Sequence, residues 1–562
     1  MDLDEWERLL IQCDYPLKEE ILKSLKEGVT LKGKDGQPLT SPQGAMVRTC
    51  DNLKSASELS SQVKIMEDMR KETTLGRRAG PFTAPPFPNL VCSPIGAVNK
   101  KHSTKLRVIH HLSWPRDGSG TSINEQLSDE LCEYTLFKTV RDHIAQRGQG
   151  VLMAKFDISD AFRLVRLHPR HHSLLGMCFL GLYFYERCLP FGLKPAPAIF
   201  EMFATAINAF LTHEQIQVVF HYMDDFLLVC SAEEADKFYA STIAMFERLR
   251  IPLSKEKLSP PSTQIEFLGI SIDTVSMTMS IPEDKLTRYR RVIGDWKDKK
   301  KGTRKELAEL VGILVYSAYI IHHGNSFYHY LIGHLRDSRD CKPRAIIYLS
   351  GNALAELEWW HHFILAWNGT NLFEPSIDQF LPCARHTLHT DACNTGMGAW
   401  YDGHQYLVHA WDAAELGGAK RTLKLSMPYL ELLSIVHSVN VWREELAGTA
   451  ITINSDCLPA VKVINRGYSR HPGLMGLVRV LIFITTQHHI FVRCQHIAGV
   501  DNVEADILSR SAIDATDPLT NNASHSPLEQ FFSLPSVQNG QKDGKILLRK
   551  HIQSLPLPSW TS

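Results

Sequence analysis

The sequence lacks the features that mark secreted and membrane-bound proteins. Its 12 cysteines include no CxxC pair, and there is neither a signal peptide nor an apolar run long enough to span a membrane. These absences predict an intracellular protein, in a cytoplasmic particle or the nucleus, with free thiols and no membrane partner. Net charge is absent too, because 61 Lys and Arg residues balance 61 Asp and Glu residues. Any surface that attracts a polyanion must therefore be local.

A zinc-binding cysteine pattern is also lacking. Four residues come closest to one, but they overlap a predicted strand whose Asp391 has a better explanation given below, so we favour an interpretation without zinc. These residues are Cys383, His386, His389 and Cys393.

What the sequence does contain is an acidic pair, Asp224 and Asp225, within the segment HYMDDFLLV at 221–229. The apolar flanks predict a strand, a tight turn and a second strand. Most acidic pairs in turns are simply solvated. Here both flanks look buried, so the two charges would repel each other and lose solvation, and a bound divalent cation would relieve both penalties. Such a site needs a further carboxylate, because Mg²⁺ is held by a few carboxylates together with phosphates and water.

Asp157 is the candidate for that carboxylate, since it follows an apolar strand-like run in VLMAKFDISDAF at 151–162. An Asp at a strand end followed by an Asp-Asp hairpin resembles the polymerase palm, and the YMDD form resembles reverse transcriptases in particular. The resemblance implies that Asp157, Asp224 and Asp225 position two Mg²⁺ ions, with Mn²⁺ as a possible substitute. Successive strand residues face opposite ways, so Asp157 and Asp224 rank first as ligands.

The same resemblance implies a nucleotide-binding set. Lys100 and Arg107, on a predicted basic hairpin, would hold the triphosphate of the incoming deoxynucleotide; a solvated surface turn is the alternative. Phe162 would lie beneath the sugar and exclude a 2′-hydroxyl, unless it is only a core residue. Gly192 lies in a loop that a base and the template can approach closely. Lys257 would assist the departing pyrophosphate, or is a surface lysine.

Nucleic-acid contacts are implied further along the chain. The segment Phe267, Leu268 and Gly269 resembles the hairpin that grips the primer strand. The cationic run at 297–305 precedes a predicted helix, and such a run is usually a solvated face. In this order of motifs it would be the thumb, with salt-sensitive phosphate contacts. The cations assigned to those contacts are Lys299, Lys300, Lys301 and Arg304.

A second set of acids follows in a strand, helix, strand, helix order. Asp391 lies on a predicted strand, Glu431 in the first turn of a helix, Asp456 at a strand end and Asp506 at a helix start. Each acid alone would be read as a cap or a surface residue. Together they predict ligands for two metal ions, which need several carboxylates. The set resembles the Asp, Glu, Asp, Asp of RNase H, and His496 matches a mobile histidine near the scissile phosphate in that family.

These resemblances predict an α+β multidomain protein: a right-hand polymerase with fingers, palm and thumb, then a connection and a C-terminal RNase H-like α/β domain. A length of 562 residues also favours several domains. The predicted domains are a helical leader at 1–75 that packs on the main body or binds a partner, fingers and palm at 76–280, thumb and connection at 281–383, the RNase H-like domain at 384–512, and a flexible or partner-binding tail at 513–562.

The order of a polymerase followed by an RNase H resembles a retroelement Pol protein. The segments NLKSA at 52–56 and GRRAGPF at 76–82 are most similar to DIRS-type retrotransposons. The resemblance implies RNA-directed DNA synthesis from deoxynucleoside triphosphates on an RNA template with a DNA primer, and cleavage of the RNA strand of RNA·DNA hybrids. It also implies a Gag-like protein and a tyrosine recombinase as partners. One alternative is a domesticated or decayed protein that binds hybrids without catalysis, which the intact acids argue against. Another is a Pol protein that retains only RNase H activity.

Overall fold

The computed structural model describes residues 1–40, 51–99, 106–115, 120–130, 132–216, 219–321, 324–366, 368–371, 386–402, 405–421, 426–511 and 547–549. The chain divides into two compact units, residues 1–278 and 279–562. No helix within the described ranges is both long enough and apolar enough to cross a bilayer.

The first unit combines helices with small antiparallel sheets. Its helices are α1 Leu3–Gln12, α2 Lys18–Glu27, α3 Leu59–Thr74, α4 Ile123–Gln126, α5 Phe137–Arg147, α6 Ala196–His213 and α7 Ala235–Arg248. Its strands are β1 Arg78–Phe82, β2 Ile95–Asn99, β3 Leu106–His110, β4 Leu152–Asp157, β5 Gly176–Phe179, β6 Leu182–Glu186, β7 Val219–Tyr222, β8 Asp225–Cys230, β9 Ser259–Ser262, β10 Gln264–Phe267 and β11 Ile270–Asp273, with β12 Thr278–Ser280 at the unit boundary. Short 3₁₀ helices lie at Lys54–Ala56, Ala161–Leu164 and Pro169–Leu174.

The central sheet of this unit has the strand order β7-β8-β4-β9. Residues 226–230 of β8 are all buried, which explains why this strand is a continuous apolar run. Strands β4 and β8 are antiparallel, and their register sets Asp157 opposite Asp225. The register therefore brings the ends of two distant segments to one edge of the sheet.

The first helix of the predicted leader packs into this unit. Trp6 is fully buried, and its ring meets Phe203 and Phe210 of α6 edge to face at centroid distances of 5.7 and 5.3 Å. Leu9 and Leu10 of α1 belong to the same core. Of the two roles predicted for the leader, packing on the body is the one that α1 takes.

A buried ion network joins α3 to the sheet β1-β6-β5. Arg163 places Nη2 2.7 Å from Glu186 Oε2 and Nε 2.9 Å from Glu72 Oε2, while Arg78 Nη2 lies 2.8 Å from Glu186 Oε1. Burial would raise the pKa of Glu186, but Arg78 and Arg163 outweigh it and lower that pKa to about 2. A fully buried carboxylate is tolerated here because two guanidinium groups pair with it.

The second unit begins with helices, which short strands interrupt. Its helices are α8 Glu283–Lys299, α9 Arg304–Ser317, α10 His329–Asp337, α11 Gly351–Ala366, α12 Ala413–Arg421, α13 Ser426–Val441, α14 Leu458–Arg466, α15 Pro472–Gln487 and α16 Val503–Arg510. Its strands are β13 Lys301–Thr303, β14 Ile346–Tyr348, β15 Thr370–Asn371, β16 His386–Ala392, β17 Gly396–Tyr401, β18 Gln405–Ala410, β19 Ala450–Ser455, β20 Phe491–His496 and β21 Leu547–Arg549, and 3₁₀ turns lie at Gly324–Ser326 and Gly499–Asp501.

A six-stranded mixed sheet organises the C-terminal half of this unit, with the order β20-β19-β16-β17-β18-β21. Strands β16, β17 and β18 form an antiparallel meander, whereas β16, β19 and β20 run parallel. Helix α16 crosses β17 at Gly398, where a Cβ atom would lie 2.3 Å from the Ser509 nitrogen. Only glycine permits this close approach, which sets the position of the acid carried by α16.

Candidate active sites

The first acidic site lies at the turn between β7 and β8. Met223 adopts a positive φ of 53°, and Asp224 follows it in the turn. The Ile158 N–H donates a 3.0 Å hydrogen bond to the Asp224 carbonyl, so Asp224 is adjacent to the end of β4, where Asp157 is buried. The predicted strand, turn and strand are confirmed, and Asp157, Asp224 and Asp225 meet at one edge of the sheet.

Two of these three acids are paired with lysines. Lys257 Nζ lies 2.8 Å from Asp157 Oδ2, and Lys155 Nζ lies 3.1 Å from Asp225 Oδ1. The hydrogen bond to Asp157 raises the pKa of Lys257. Asp224 forms no ion pair within the described residues, and burial, followed by the charges of Asp225 and Asp157, raises the pKa of its carboxyl group. An uncompensated, desolvated carboxylate beside two others fits the donor set of a hard divalent cation such as Mg²⁺.

A buried acid on α6 stabilises this turn through polar contacts. Glu201 is 4% exposed, its Oε2 accepts a 3.1 Å hydrogen bond from the Met223 N–H, and its Oε1 lies 3.1 Å from His221 Nε2. The Met223 amide is thus satisfied although the turn leaves the sheet ladder. Sequence reasoning missed Glu201, although a single acid within an otherwise apolar helix face is a detectable signal.

The predicted nucleotide-binding residues lie partly together. The Arg107 guanidinium stands 5.2 Å from the centroid of the Phe191 ring, and the Phe162 ring lies 5.6 Å from the same ring. Gly192 follows with φ of 91°, and its carbonyl accepts a 2.8 Å hydrogen bond from Asn124 Nδ2. A cation, a glycine loop and two aromatic rings therefore form one surface. Lys100 lies outside the described residues.

The predicted primer-contacting hairpin forms between β10 and β11, but its residues differ in exposure. Leu268 and Gly269 make the turn with φ of 49° and 79°. Phe267 is 1% exposed and belongs to the core, so its side chain cannot contact a strand of nucleic acid. The prediction is corrected at this residue: any contact falls to the turn and its backbone.

The helix predicted after the cationic run is confirmed as α9, which begins at Arg304. The run itself spans several elements, because Lys299 ends α8, Lys300 has a left-handed φ of 55°, and Lys301 begins β13. These three lysines are exposed. Arg304 starts α9, and its Nε donates a 2.7 Å hydrogen bond to the Ser338 carbonyl, so part of that guanidinium has a structural partner.

The second acidic site is built on the six-stranded sheet. One carboxylate oxygen each from Asp391, Glu431 and Asp456 lies within 4.8 Å of the other two. Burial, and next the charges of Asp456 and Asp506, raise the pKa of Asp391 to about 6. Burial and the charges of Asp391 and Asp456 also raise the pKa of Glu431 well above its usual value.

Glu431 Oε2 is buried and has no hydrogen-bond partner in the described part of the chain. No ion pair involving Asp391, Glu431 or Asp456 is formed there either. An orphaned oxygen within a cluster of mutually repelling carboxylates fits a divalent cation. Helix α13 begins at Ser426, so Glu431 lies in its second turn rather than in the first turn as predicted.

The last two predicted residues lie at the rim of this cluster. Asp506 is outside the group of three, and its Oδ1 lies 2.7 Å from Arg510 Nη2. His496 Nε2 lies 3.0 Å from the Asp456 carbonyl oxygen on an exposed surface. Ser509 Oγ, which sequence reasoning missed, donates a 2.5 Å hydrogen bond to Asp391 Oδ2. The core of the second site is thus Asp391, Glu431 and Asp456.

Residues 97–272 match the family model described as "Reverse transcriptase (RNA-dependent DNA polymerase)". Protein P of duck hepatitis B virus (strain China) is 31% identical over 158 residues, covering 27% of this chain and 20% of that protein. Polyprotein P3 of Commelina yellow mottle virus is 25% identical over 375 residues, covering 65% and 18%. The Tf2-3 transposon polyprotein of Schizosaccharomyces pombe is 23% identical over 401 residues, covering 68% and 26%. The chain spans at most 26% of these relatives.

Solved structures of the foamy viral protease-reverse transcriptase are also similar. The form described as "dRH in complex with ds DNA" has a TM-score of 0.47 and 14% identity, covering 88% of this chain and 82% of that one. The complex with an RNA/DNA hybrid has a TM-score of 0.47 and 13% identity, covering 88% and 63%.

Proposed function

We propose that this protein is an RNA-directed DNA polymerase that copies a retroelement RNA into DNA, because residues 97–272 match the reverse transcriptase family model. The observation that carries the proposal is the meeting of Asp157, Asp224 and Asp225 at one sheet edge within that domain. The primer 3′-hydroxyl attacks the α-phosphate of a deoxynucleoside triphosphate, and pyrophosphate leaves. Asp157 and Asp224 would hold Mg²⁺, which would stabilise the charge that develops on the reacting oxygens.

The chain's own residues bind and orient the reactants. Arg107 projects a guanidinium beside the Phe191 ring, where it can pair with triphosphate oxygens in bidentate fashion. Phe162, next to that ring, is the proposed sugar-facing residue that excludes ribonucleotides. Lys257 is placed by its contact with Asp157 to meet negative charge on the leaving pyrophosphate. The chemistry needs positioning and electrostatics, with no covalent enzyme intermediate.

The second part of the proposal is RNase H cleavage of the RNA strand of RNA·DNA hybrids. It is supported by the cluster of Asp391, Glu431 and Asp456, whose crowded carboxylates and raised pKa values suit a pair of divalent cations. Asp506, carried by α16, and His496 border the cluster and are the proposed groups nearest the scissile phosphate.

The biological setting is also a proposal. We place the chain in a DIRS-type retroelement, acting on an RNA template with a DNA primer and working with a Gag-like protein and a tyrosine recombinase. The proposed location is a cytoplasmic particle or the nucleus. The similarity to polyproteins of viruses and a transposon supports a retroelement origin.

The test is a primer-extension and hybrid-cleavage assay on the purified full chain with Mg²⁺ and deoxynucleotides. We compare the parent with Asp224→Asn and Asp456→Asn, and we use Asp236→Asn as the matched control because Asp236 is exposed on α7. The expected result is that Asp224→Asn loses synthesis but keeps cleavage, that Asp456→Asn shows the reverse, and that the control matches the parent.

Other outcomes separate the rival functions. A parent that binds hybrid but neither extends nor cleaves would identify a binding protein derived from a retroelement. A parent that cleaves hybrid but never extends a primer would leave RNase H as the sole activity. Loss of both activities in either acid variant would contradict two independent centres.

A further inference from the structure

We propose that His409, Glu415 and His437 form a binding site for a late first-row divalent cation of the Zn²⁺ type. The three residues come from strand β18, helix α12 and helix α13. One ligand atom from each lies within 4.8 Å of the other two. The proposal is independent of whether the chain synthesises DNA.

The geometry is close to what such an ion requires. His409 Nε2 lies 3.0 Å from Glu415 Oε2, and His437 Nε2 lies 2.7 Å from Glu415 Oε1. Tetrahedral coordination with bonds of about 2.0–2.1 Å separates neighbouring ligand atoms by roughly 3.4 Å. On coordination the two imidazole–carboxylate contacts would lengthen by about 0.4–0.7 Å, and the His409 and His437 nitrogens, already within 4.8 Å of each other, would both face the ion.

The carboxylate is already oriented for this role. The Asp412 N–H donates a 2.8 Å hydrogen bond to Glu415 Oε2, which fixes the head group at the start of α12. Burial opposes ionisation of Glu415, but hydrogen bonds from His409 and His437 outweigh it and hold its pKa well below the usual range. Within the described residues, Glu415 pairs only with these two histidines and has no lysine or arginine partner.

The donor set selects the class of ion. Two imidazole nitrogens and one carboxylate are typical ligands of Zn²⁺ and its neighbours, whereas Mg²⁺ and Ca²⁺ prefer oxygen alone. The side chains of His409, Glu415 and His437 are 14%, 15% and 6% exposed. The cluster is thus mostly enclosed, with an opening through which a fourth ligand such as water can reach the ion.

The site differs from the acidic cluster in its ligands, yet it shares an element with it. Helix α13 carries both Glu431 and His437. A cation at His437 would tie this helix to β18 and α12. The expected role is structural: the ion fixes the helix that holds Glu431.

The experiment measures zinc binding directly. The full chain is stripped with a chelator, and Zn²⁺ is titrated against a chromophoric competitor in excess Mg²⁺, which occupies the all-oxygen sites. We expect one tightly held Zn²⁺ per chain, and a Co²⁺-loaded protein with the visible absorption of a tetrahedral site. His409→Gln and His437→Gln each weaken zinc binding by more than the roughly 10–100-fold that loss of an outer-shell partner causes.

The controls separate this site from others. His213→Gln removes an exposed histidine from α6, and Asp391→Asn alters the acidic cluster; both retain zinc if the proposal is right. Circular dichroism and the metal-free melting temperature check that the glutamine variants fold, since glutamine preserves a side-chain donor for Glu415. Failure of the parent to bind Zn²⁺ in excess Mg²⁺, or zinc binding that survives both histidine variants, overturns the proposal and leaves a hydrogen-bonded cluster.

Discussion

The two acidic sites differ in how the repulsion between their carboxylates is balanced. At the turn between β7 and β8, Asp157 and Asp225 each pair with a lysine, Lys257 and Lys155. In the six-stranded sheet, three carboxylates crowd together with no ion pair of their own in the described part of the chain. Lysines can neutralise a site before any ligand arrives. Where lysines are lacking, burial and mutual repulsion raise the pKa values of Asp391 and Glu431, and a bound cation would relieve that repulsion.

Similar acidic motifs can therefore differ in how strongly they require an external cation. In the first site, a metal ion must compete with Lys257 for Asp157. In the second site, repulsion between Asp391 and Glu431 favours a metal ion, and no described lysine or arginine forms an ion pair with either acid. The second site should therefore be the more sensitive of the two to metal removal.

The largest expected effect is at Glu431. Glu431→Gln removes one ligand from the crowded cluster, and hybrid cleavage should fall at least about 1,000-fold, because charge stabilisation by metal ions is worth several kcal/mol. Primer extension should change less than about 2-fold, since the two sites have separate ligands. Single-turnover assays of both reactions measure this. Equal loss of both activities would show that the two sites do not act independently.

The next effect is on stability in metal-free buffer. The folded-state pKa of Asp391 is raised from 3.8 to about 6, so the folded chain binds this proton more tightly than the unfolded chain does. Stability is therefore lost as pH rises from about 4 to about 6, by up to about 3 kcal/mol from this group. At pH 8, Asp391→Asn should unfold at a higher temperature than the parent. At pH 4, the two proteins should unfold at nearly the same temperature.

Thermal unfolding followed by circular dichroism with a chelator present measures that difference. Added Mg²⁺ should stabilise the parent at pH 8 more than it stabilises Asp391→Asn. An Asp391→Asn variant that melts below the parent at pH 8 without metal would show that the cluster is not under electrostatic strain.

A smaller effect is expected at Glu201, the support of the first site. Glu201→Leu removes the acceptor for the Met223 N–H and leaves His221 without its carboxylate, so kcat for primer extension should fall roughly 10–50-fold through misplacement of the turn. Glu201→Gln keeps an acceptor oxygen and should recover most of that loss. Steady-state kinetics separate kcat from KM. A change confined to KM would contradict a positioning role.

The smallest effect is expected at Lys257. Lys257→Gln removes the cation that competes for Asp157, so the Mg²⁺ concentration that gives half-maximal primer extension should fall about 2–5-fold, a modest change because the lysine is 61% exposed. The concentration needed for hybrid cleavage should stay constant. A Mg²⁺ titration of both reactions measures this. A higher Mg²⁺ requirement for extension would show that Lys257 assists the metal ion instead.

The sequence was sufficient to locate the acids because their flanks have strong patterns. The apolar run of β8 predicted the strand after Asp224, and the alternating β19 predicted that Asp456 lies at a strand end. We predicted Glu431 in the first turn of its helix, whereas it lies in the second. The start of α13 was missed because Ser426, Met427 and Pro428 carry no apolar periodicity to mark the start of a helix.

Long-range partners could not be predicted in the same way. The lysine contact of Asp157 joins residues 100 positions apart, and the support of Met223 comes from another element 22 positions away. We predicted a nucleic-acid contact for Phe267 because the motif identifies the hairpin. A motif does not indicate which side of the hairpin faces the core, and Phe267 is buried there. Such contacts depend on tertiary packing that local patterns do not encode.

The packing of α1 has a practical consequence for dissecting this protein into expressible fragments. The matched family segment begins at residue 97, yet Trp6 fills the core against α6, and Glu72 pairs with the buried Arg163. A fragment trimmed to the matched segment would leave a hole beside α6, and the buried pair Arg163 and Glu186 would lose its partners Glu72 and Arg78. Expression trials should therefore keep the N-terminal helices, and an insoluble product from the trimmed fragment would report lost packing rather than an inactive polymerase.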